Sequence, residues 1–382
     1  MTTAVGRWLH GTDAQLIGLT LLSKALLFAW GLIVGALVSH QPLDVGQILA
    51  TWNRWDAPHY LDLAIWGYMA VDPGVAPTFG QTGDMDLMIV FYPLLPAAIA
   101  LVRLAVPDLV APILVSTVAL AAAVLLLYRV VATELGERLA FRAVIFLLIF
   151  PTAYFLHIGY TESLFLALTC GAFLAARRGR WGMAGAAGGL AAFTRINGLV
   201  LVPSLLTEAW SEWRASGRLR AAWTGIGLVV VGFAAYLLVN QVVYGDPFAF
   251  VTILREHWFK EPAWPWEGIR DAIGRATNGA LEDRLVLGWA ELVAMALGLV
   301  GTIASLLRFR PSWTVWMAVN LILFVSTSWV LSVPRYVLVL FPLYAWFALL
   351  AERRWLGIGL GVVSLALLLW FSARFAIGVW AF

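Results

Sequence analysis

The chain is 382 residues long, 62% of them hydrophobic and only 12% charged, with a mean hydropathy of +0.87. A soluble globule of this size has no interior large enough to take up so much apolar surface, so lipid must cover part of the chain. The formal net charge of +3 is small, and the basic residues fall in short turns rather than in a patch, which excludes a nucleic-acid footprint.

A span needs roughly 20 apolar residues, and hydrocarbon offers backbone polar groups no water, so the long Leu/Ala/Val/Ile runs read as helices. The expected fold class is an all-α polytopic membrane protein, a single integral membrane domain over 1–382. The first run, from about Gln15 to Val38, is too long for the apolar region of a signal peptide and lacks a small-residue cleavage site. It reads as a retained first span, with Lys24 facing inward. Residues 39–109 follow as a first extracytoplasmic loop carrying Asp44, Asp56, His59, Asp62, Asp72, Asp84 and Asp86. Within it, Phe91-Tyr92-Pro93-Leu94-Leu95-Pro96 leads into a short apolar stretch ending at Val106, which reads as a helix lying in the interface.

Five short basic turns come next, at Glu137 to Arg142, Arg177 to Arg180, Arg214 to Arg220, Arg308 to Arg310, and Arg353-Arg354. Placing all five on the cytoplasmic side requires the stretch after Pro93 to be interfacial and a polar break at Thr194 to Asn197. The spans then run approximately 14–38, 110–132, 141–157, 162–176, 181–193, 198–210, 222–242, 287–307, 313–331, 335–351 and 355–374. That gives about eleven, with the N-terminus inside. The outer face collects the first loop, Pro151 to Glu162, the Thr194-Arg195 break, a second large loop over 243–286, and Ser332 to Tyr336. The second loop carries His257, Trp258, Lys260, Trp264 and Trp266, as expected of a segment lying over the membrane with its rings at headgroup level.

Asp56 sits in Arg54-Trp55-Asp56-Ala57-Pro58-His59-Tyr60, soon after the first span. A carboxylate at the edge of a low-dielectric region can act as a general base on a hydroxyl; a helix-capping Asp is the simpler alternative. Helical spacing would bring Asp56, His59 and Tyr60 to one face, although a lone His is more simply structural than a metal ligand. A second cluster runs from Pro151 to Ser163 and holds His157, Tyr160, Thr161 and Glu162. Thr161 as an N-cap with Glu162 on the helix dipole accounts for it locally. The functional alternative is a polar cavity facing Asp56, lined by His157 and Glu162.

Arg195 interrupts an apolar stretch, and an intramembrane arginine needs an anion, a buried partner or a water-filled cavity. Arg335, in Ser332-Val333-Pro334-Arg335-Tyr336, ends a span, where snorkelling competes with phosphate binding as its explanation. No phosphate-binding glycine loop, zinc signature or Ser-His-Asp arrangement is present. Asp84 and Asp86 offer a cation-binding pair, or simply two solvated acids. The single Cys170 lies in an apolar run and allows neither a disulfide framework nor a thiolate metal site.

Several of these segments resemble the PIG-V family, the GPI mannosyltransferase II-like proteins within the GT-C membrane glycosyltransferases. Trp55-Asp56 with His59-Tyr60, Ala64 and Gly67-Tyr68 is similar to that family's first-loop motif, and Phe91-Tyr92-Pro93-Leu94 with Pro96 to its Phe-Phe-Pro-Leu-Tyr-Pro segment. Pro151, Phe155 and Tyr160-Thr161-Glu162-Ser163-Leu164-Phe165 resemble its luminal elements, followed by Thr194-Arg195 to Gly198 and Pro334-Arg335-Tyr336. The matches keep the family's order from Trp55 to Tyr336. Phe150 stands where the family often has Asn, and Asp72 to Met88 does not align.

The resemblance implies a GT-C-like bundle and inverting transfer of mannose from a polyprenyl- or dolichyl-phosphate donor to an acceptor hydroxyl on the extracytoplasmic face. The expected catalytic group is Asp56 as base with His59 and Glu162. The expected substrate group is Arg54, Trp55, His157, Tyr160, Arg195, Arg335 and Tyr336, with the arginines toward the donor phosphate. No metal is required. The expected partners are membrane lipids, the lipid-linked donor and a glycan or glycolipid acceptor, without an obligate partner chain. A transporter or flippase, and a non-enzymatic assembly subunit, are the competing readings, although no repeated halves are visible. Lys24 and Lys260 are the only lysines beside abundant Ala, Gly and Arg, which points to a GC-rich prokaryotic genome, its cytoplasmic membrane, and a cell-envelope glycolipid or surface glycan as acceptor.

Overall fold

The computed structural model describes residues 11–40, 44–68 and 85–382; Asp72, Asp84 and the Asp86 side chain fall outside what is described. Among the described residues every regular element is helical, apart from one isolated antiparallel bridge between Pro262 and Thr327. The apolar run after Gly11 forms one unbroken helix, α1 (Gly11–Ser39). The first loop then folds into α2 (Val45–Thr51), α3 (Asp56–Trp66), a 3-10 turn at Met85–Val90 and α4 (Leu94–Val102). Asp44 caps α2 by accepting the Gln47 N–H at 2.8 Å. With 7, 11 and 9 residues, the three helices of this loop are too short to span.

The centre of the bundle is α5 (Ala111–Leu135), α6 (Glu137–Leu148), α7 (Glu162–Arg177), α8 (Trp181–Ala192) and α9 (Leu201–Ser216). α10 (Gly227–Tyr244) leads into the second loop, which carries α11 (Ala249–His257) and α12 (Pro265–Thr277). A short α13 (Leu281–Asp283) continues through a π turn at Arg284–Trp289 into α14 (Ala290–Arg308). The chain closes with α15 (Pro311–Val325), α16 (Val333–Val337), α17 (Pro342–Leu350) and α18 (Arg354–Ala376).

Five helical stretches are long and apolar enough to cross a membrane on their own: Gly11–Val38, Ala111–Leu135, Ala221–Tyr244, Leu281–Arg308 and Arg354–Ala376. The other expected spans are shorter. The segment 141–157 is helical only to Leu148, and 335–351 breaks after Val337 before α17 begins. Proline accounts for both interruptions, since Pro151 disfavours helix in the residue before it and Pro342 starts a new first turn. The 12-residue α8 rises only about 18 Å, and it survives inside the bundle through close backbone packing. A Cβ on Gly232 of α10 would lie 2.0 Å from the Gly189 carbonyl oxygen, so only glycine lets these two helices touch.

Outward faces of the long helices stay apolar, with Leu26 and Leu37 of α1 and Trp355 and Val362 of α18 all exposed. Lipid is the solvent that such a surface requires, and the chain is an integral membrane protein.

The five basic turns meet at one end of the bundle. Glu208 on α9, almost fully buried, receives Arg177 at 3.3 Å, Arg310 at 3.1 Å and the Ser312 hydroxyl at 2.7 Å. Both arginines also reach Glu134, at 3.0 and 3.4 Å. Arg138 pairs with Glu352 at 2.7 Å, and Glu212 ties Arg220 to the indoles of Trp181 and Trp223. Asp13, at the start of α1, pairs with Arg129 near the end of α5 at 2.9 Å. Glu162 and Arg195 stand across α7 and α8 from the turn at Arg177 to Arg180, and Arg335 and Asp56 are joined to Glu162 by ion pairs, so the four gather at the opposite end.

Removing Glu208 leaves Arg177 and Arg310 with Glu134 as their one remaining shared anion, and breaking a buried pair of this kind is costly. Glu208→Ala should cost about 3 kcal/mol, read as a lower midpoint of thermal unfolding in detergent, with Glu208→Gln intermediate. An unchanged midpoint in both variants would show the network to be dispensable.

Candidate active site

The loop between α2 and α3 is folded to present one carboxylate. Trp55 adopts φ +58° and ψ −110°, a backbone region that residues with a Cβ occupy only when their surroundings force them. The Tyr160 hydroxyl supplies that force. It accepts the Asp56 N–H at 3.1 Å and donates to the Arg54 carbonyl at 3.1 Å, so one phenol clamps the backbone on both sides of Trp55. The Trp55 ring meets Trp380 edge-on at 5.0 Å. Asp56 thereby opens α3 with its side chain 29% exposed.

Arg335 faces this carboxylate. Its Nη1 donates to Asp56 Oδ2 at 2.8 Å, and its Nε lies 3.4 Å from Glu162 Oε1. The same Glu162 oxygen accepts from Arg195 Nη1 at 2.6 Å. Two acids and two arginines from four separate segments thus form one chain of charges, Asp56–Arg335–Glu162–Arg195. Glu162 is only 1% exposed, at the first turn of α7, where the helix dipole favours its charge. Its second oxygen has no hydrogen-bond partner among the described residues. Aromatic faces surround the cations: Arg335 lies 5.3 Å from the Phe155 ring centroid and 5.4 Å from Tyr160, and both arginines flank Tyr336 at 5.6 and 5.4 Å.

The arginine is aimed by a support that sequence reasoning missed. Glu291 on α14 is fully buried, and its two oxygens accept the N–H groups of Ser332 and Val333 at 2.7 and 2.8 Å. It therefore caps α16 from a distance, while Ser332 takes a left-handed φ of +71°. Thr152 holds the other side, donating to the Pro334 carbonyl at 2.9 Å. A glutamate within the apolar run after Val286 was the available signal, because a carboxylate there needs donors.

The remaining expected residues fall in different places. His59 follows Asp56 by one turn and its ring lies 5.2 Å from Phe91. Burial lowers its pKa against the opposing pull of Asp56 and Asp62, which favours the neutral imidazole. His157 does not face Asp56, which corrects the expectation that it lines the same cavity. The 3-10 turn at Ala153–Leu156 directs it toward α1, where Nε2 meets the Ser23 hydroxyl at 3.3 Å, and its carbonyl accepts from Ser116 on α5. Arg54 also turns away from the charged chain, bonding the Thr51 carbonyl at 3.2 Å and lying against Gly378. Lys24 faces inward, bound to Thr117 Oγ1 at 2.5 Å and the Ile113 carbonyl at 3.1 Å. Among the described residues, no three His, Cys, Asp or Glu side chains gather in a way that would hold a metal ion.

No curated protein matches the chain. Its fold is similar to that of ArnT from Cupriavidus metallidurans in a crystal structure bound to undecaprenyl phosphate, at 17% identity and a TM-score of 0.54. That likeness covers 91% of this chain and 63% of the other, so the chain spans rather less than two thirds of that protein's length. The apo structure of the same protein is similar at 18% identity and a TM-score of 0.50, over 84% and 62% of the two chains. The bundle therefore shares the fold of that protein. Residues 38–269, well over half of the chain and including Asp56, Glu162 and Arg195, match the family model described as Mannosyltransferase (PIG-V), and the chain belongs to that family.

Proposed function

We propose that this protein is an inverting membrane mannosyltransferase that takes its sugar from a polyprenyl-phosphate (dolichyl-phosphate-type) mannose. The observation that carries the reading is the 2.8 Å pair between Asp56 and Arg335, which puts a base and a phosphate-binding cation side by side. ArnT, of similar fold, is bound to undecaprenyl phosphate in its crystal structure, which supports a lipid-phosphate donor here. The five basic turns at the far end support an extracytoplasmic site, because short cytoplasmic loops carry the arginines.

The chemistry follows from the charges. Arg335 engages Asp56 through one oxygen, Oδ2, and leaves the other for the acceptor. As the donor phosphate draws on Arg335, the Oδ2 pair loosens and the carboxylate is released toward the acceptor hydroxyl. The acceptor O–H gives its proton to Asp56 while its oxygen attacks the anomeric carbon from the side opposite the phosphate. The bond from that carbon to the phosphate oxygen breaks, and the electron pair leaves on the polyprenyl phosphate. Arg335 and Arg195 stabilise that growing charge, which is where preorganised cations lower a barrier most. Glu162 acts as a positioning residue, since a single buried oxygen sets the spacing of both arginines. The acceptor is a hydroxyl of a glycan or glycolipid. His59 and the exposed edge of Asp56 lie on the same face of α3, which suits that side of the site.

Asp56→Asn should reduce transfer about a hundredfold or more in protein of unchanged fold and donor affinity. Wild-type turnover in that variant would remove Asp56 from the role. Arg195→Met should raise the donor KM roughly tenfold and leave the acceptor KM unchanged, measured as release of polyprenyl phosphate from purified protein. A donor KM that does not move would assign Arg195 to structure alone.

A further inference from the structure

The charges of Asp56, Arg335, Glu162 and Arg195 cancel, so as a set they offer no net attraction to an anionic donor. A third cation stands beside them. Lys260 Nζ lies 5.6 Å from the centroid of the Tyr336 ring, the same ring that Arg335 and Arg195 approach at 5.6 and 5.4 Å. Three cations around one ring, against the two carboxylates of that chain, leave a surplus of one positive charge; Glu291, the further carboxylate in the field of Lys260, is buried with both oxygens committed to the Ser332 and Val333 N–H groups. A phosphodiester carries one negative charge. Building on the transferase reading above, we propose that Lys260 is the uncommitted cation of the donor site and binds the phosphate of the lipid-linked sugar.

The placement of Lys260 is built rather than incidental. It makes no ion pair among the described residues, unlike Arg195 and Arg335. The residue before it, Phe259, is held at φ +52°, and the Trp329 indole donates to the Phe259 carbonyl at 2.7 Å. The Lys260 N–H bonds the Leu254 carbonyl at 3.0 Å, and Glu261 exchanges backbone and side-chain bonds with Ser328 at 2.9 and 3.2 Å. The Pro262–Thr327 bridge continues that pairing. A left-handed phenylalanine persists only where its surroundings over-determine it, and here they deliver the ammonium to the faces of Trp329 and Tyr336. Lysine suits this position because its flexible stem can follow a moving charge. The diester becomes a monoester of about −1.5 to −2 at neutral pH as its bond to the sugar breaks, and the ammonium gains most at that point.

The test uses full-length protein with polyprenyl-phosphate mannose as donor, and with polyprenyl phosphate and neutral polyprenol as competing probes. Lys260→Met should raise both the donor KM and the inhibition constant of polyprenyl phosphate about tenfold, with the acceptor KM and the inhibition by polyprenol unchanged. Lys260→Arg should restore most of both. Wild-type values for donor and polyprenyl phosphate in Lys260→Met, or no rescue by arginine, would overturn the assignment while leaving the transferase reading intact. Absence of transfer by the wild-type protein from any lipid-phosphate donor would instead overturn the reading itself, and this assignment with it.

Discussion

Arg335 is claimed by two carboxylates at once, and the arrangement of one end of the bundle follows from satisfying that demand. A guanidinium at the edge of hydrocarbon is stable only with anions or aromatic faces in reach. Asp56 comes from the first loop, Glu162 from the start of α7, and the rings of Phe155, Tyr160 and Tyr336 close around them. Glu291 and Thr152 then fix the backbone that carries the arginine. Each support is a buried polar group with its partner present, which is how a low-dielectric site keeps charges in register.

The two ends of the bundle use the same residue types to different effect. At the end with the basic turns, Glu134 and Glu208 are enclosed by Arg177, Arg310 and Ser312, so the charges hold helices together. At the other end the chain of charges is left incomplete among the described residues: Asp56 keeps an exposed edge, Glu162 keeps an oxygen without a hydrogen bond, and Lys260 makes no ion pair. Incomplete satisfaction of polar groups is expensive in a merely structural role, and a substrate carrying hydroxyls and a phosphate would complete it.

Three of the five non-glycine residues with positive φ among the described residues fall in the same region, the other two being His40 and Phe382. The left-handed residues Trp55, Phe259 and Ser332 immediately precede or closely flank Asp56, Lys260 and Arg335. Each is held by a specific partner, namely Tyr160, Trp329 and Glu291. The three short segments that bear the charges are therefore set by side chains from distant helices rather than by their own helical propensity.

Membrane class, the positions of the long helices and the gathering of the short basic turns were legible along the chain, because hydropathy and arginine placement are local quantities. Asp56, Glu162, Arg195 and Arg335 stood out for the same reason, as charges in places where charge is expensive. The breaks at Leu148 and Val337 had a local signal in Pro151 and Pro342, but the turning of His157 toward Ser23, the capping by Glu291 and the position of Lys260 were not legible. Each depends on which helix face meets which neighbour across more than a hundred residues of chain in several cases, and no periodicity records that. Residue types and spacing determined that this chain lies in lipid; only the packing decided which acid holds which arginine, since an ion pair is specified by distance in space and not along the sequence.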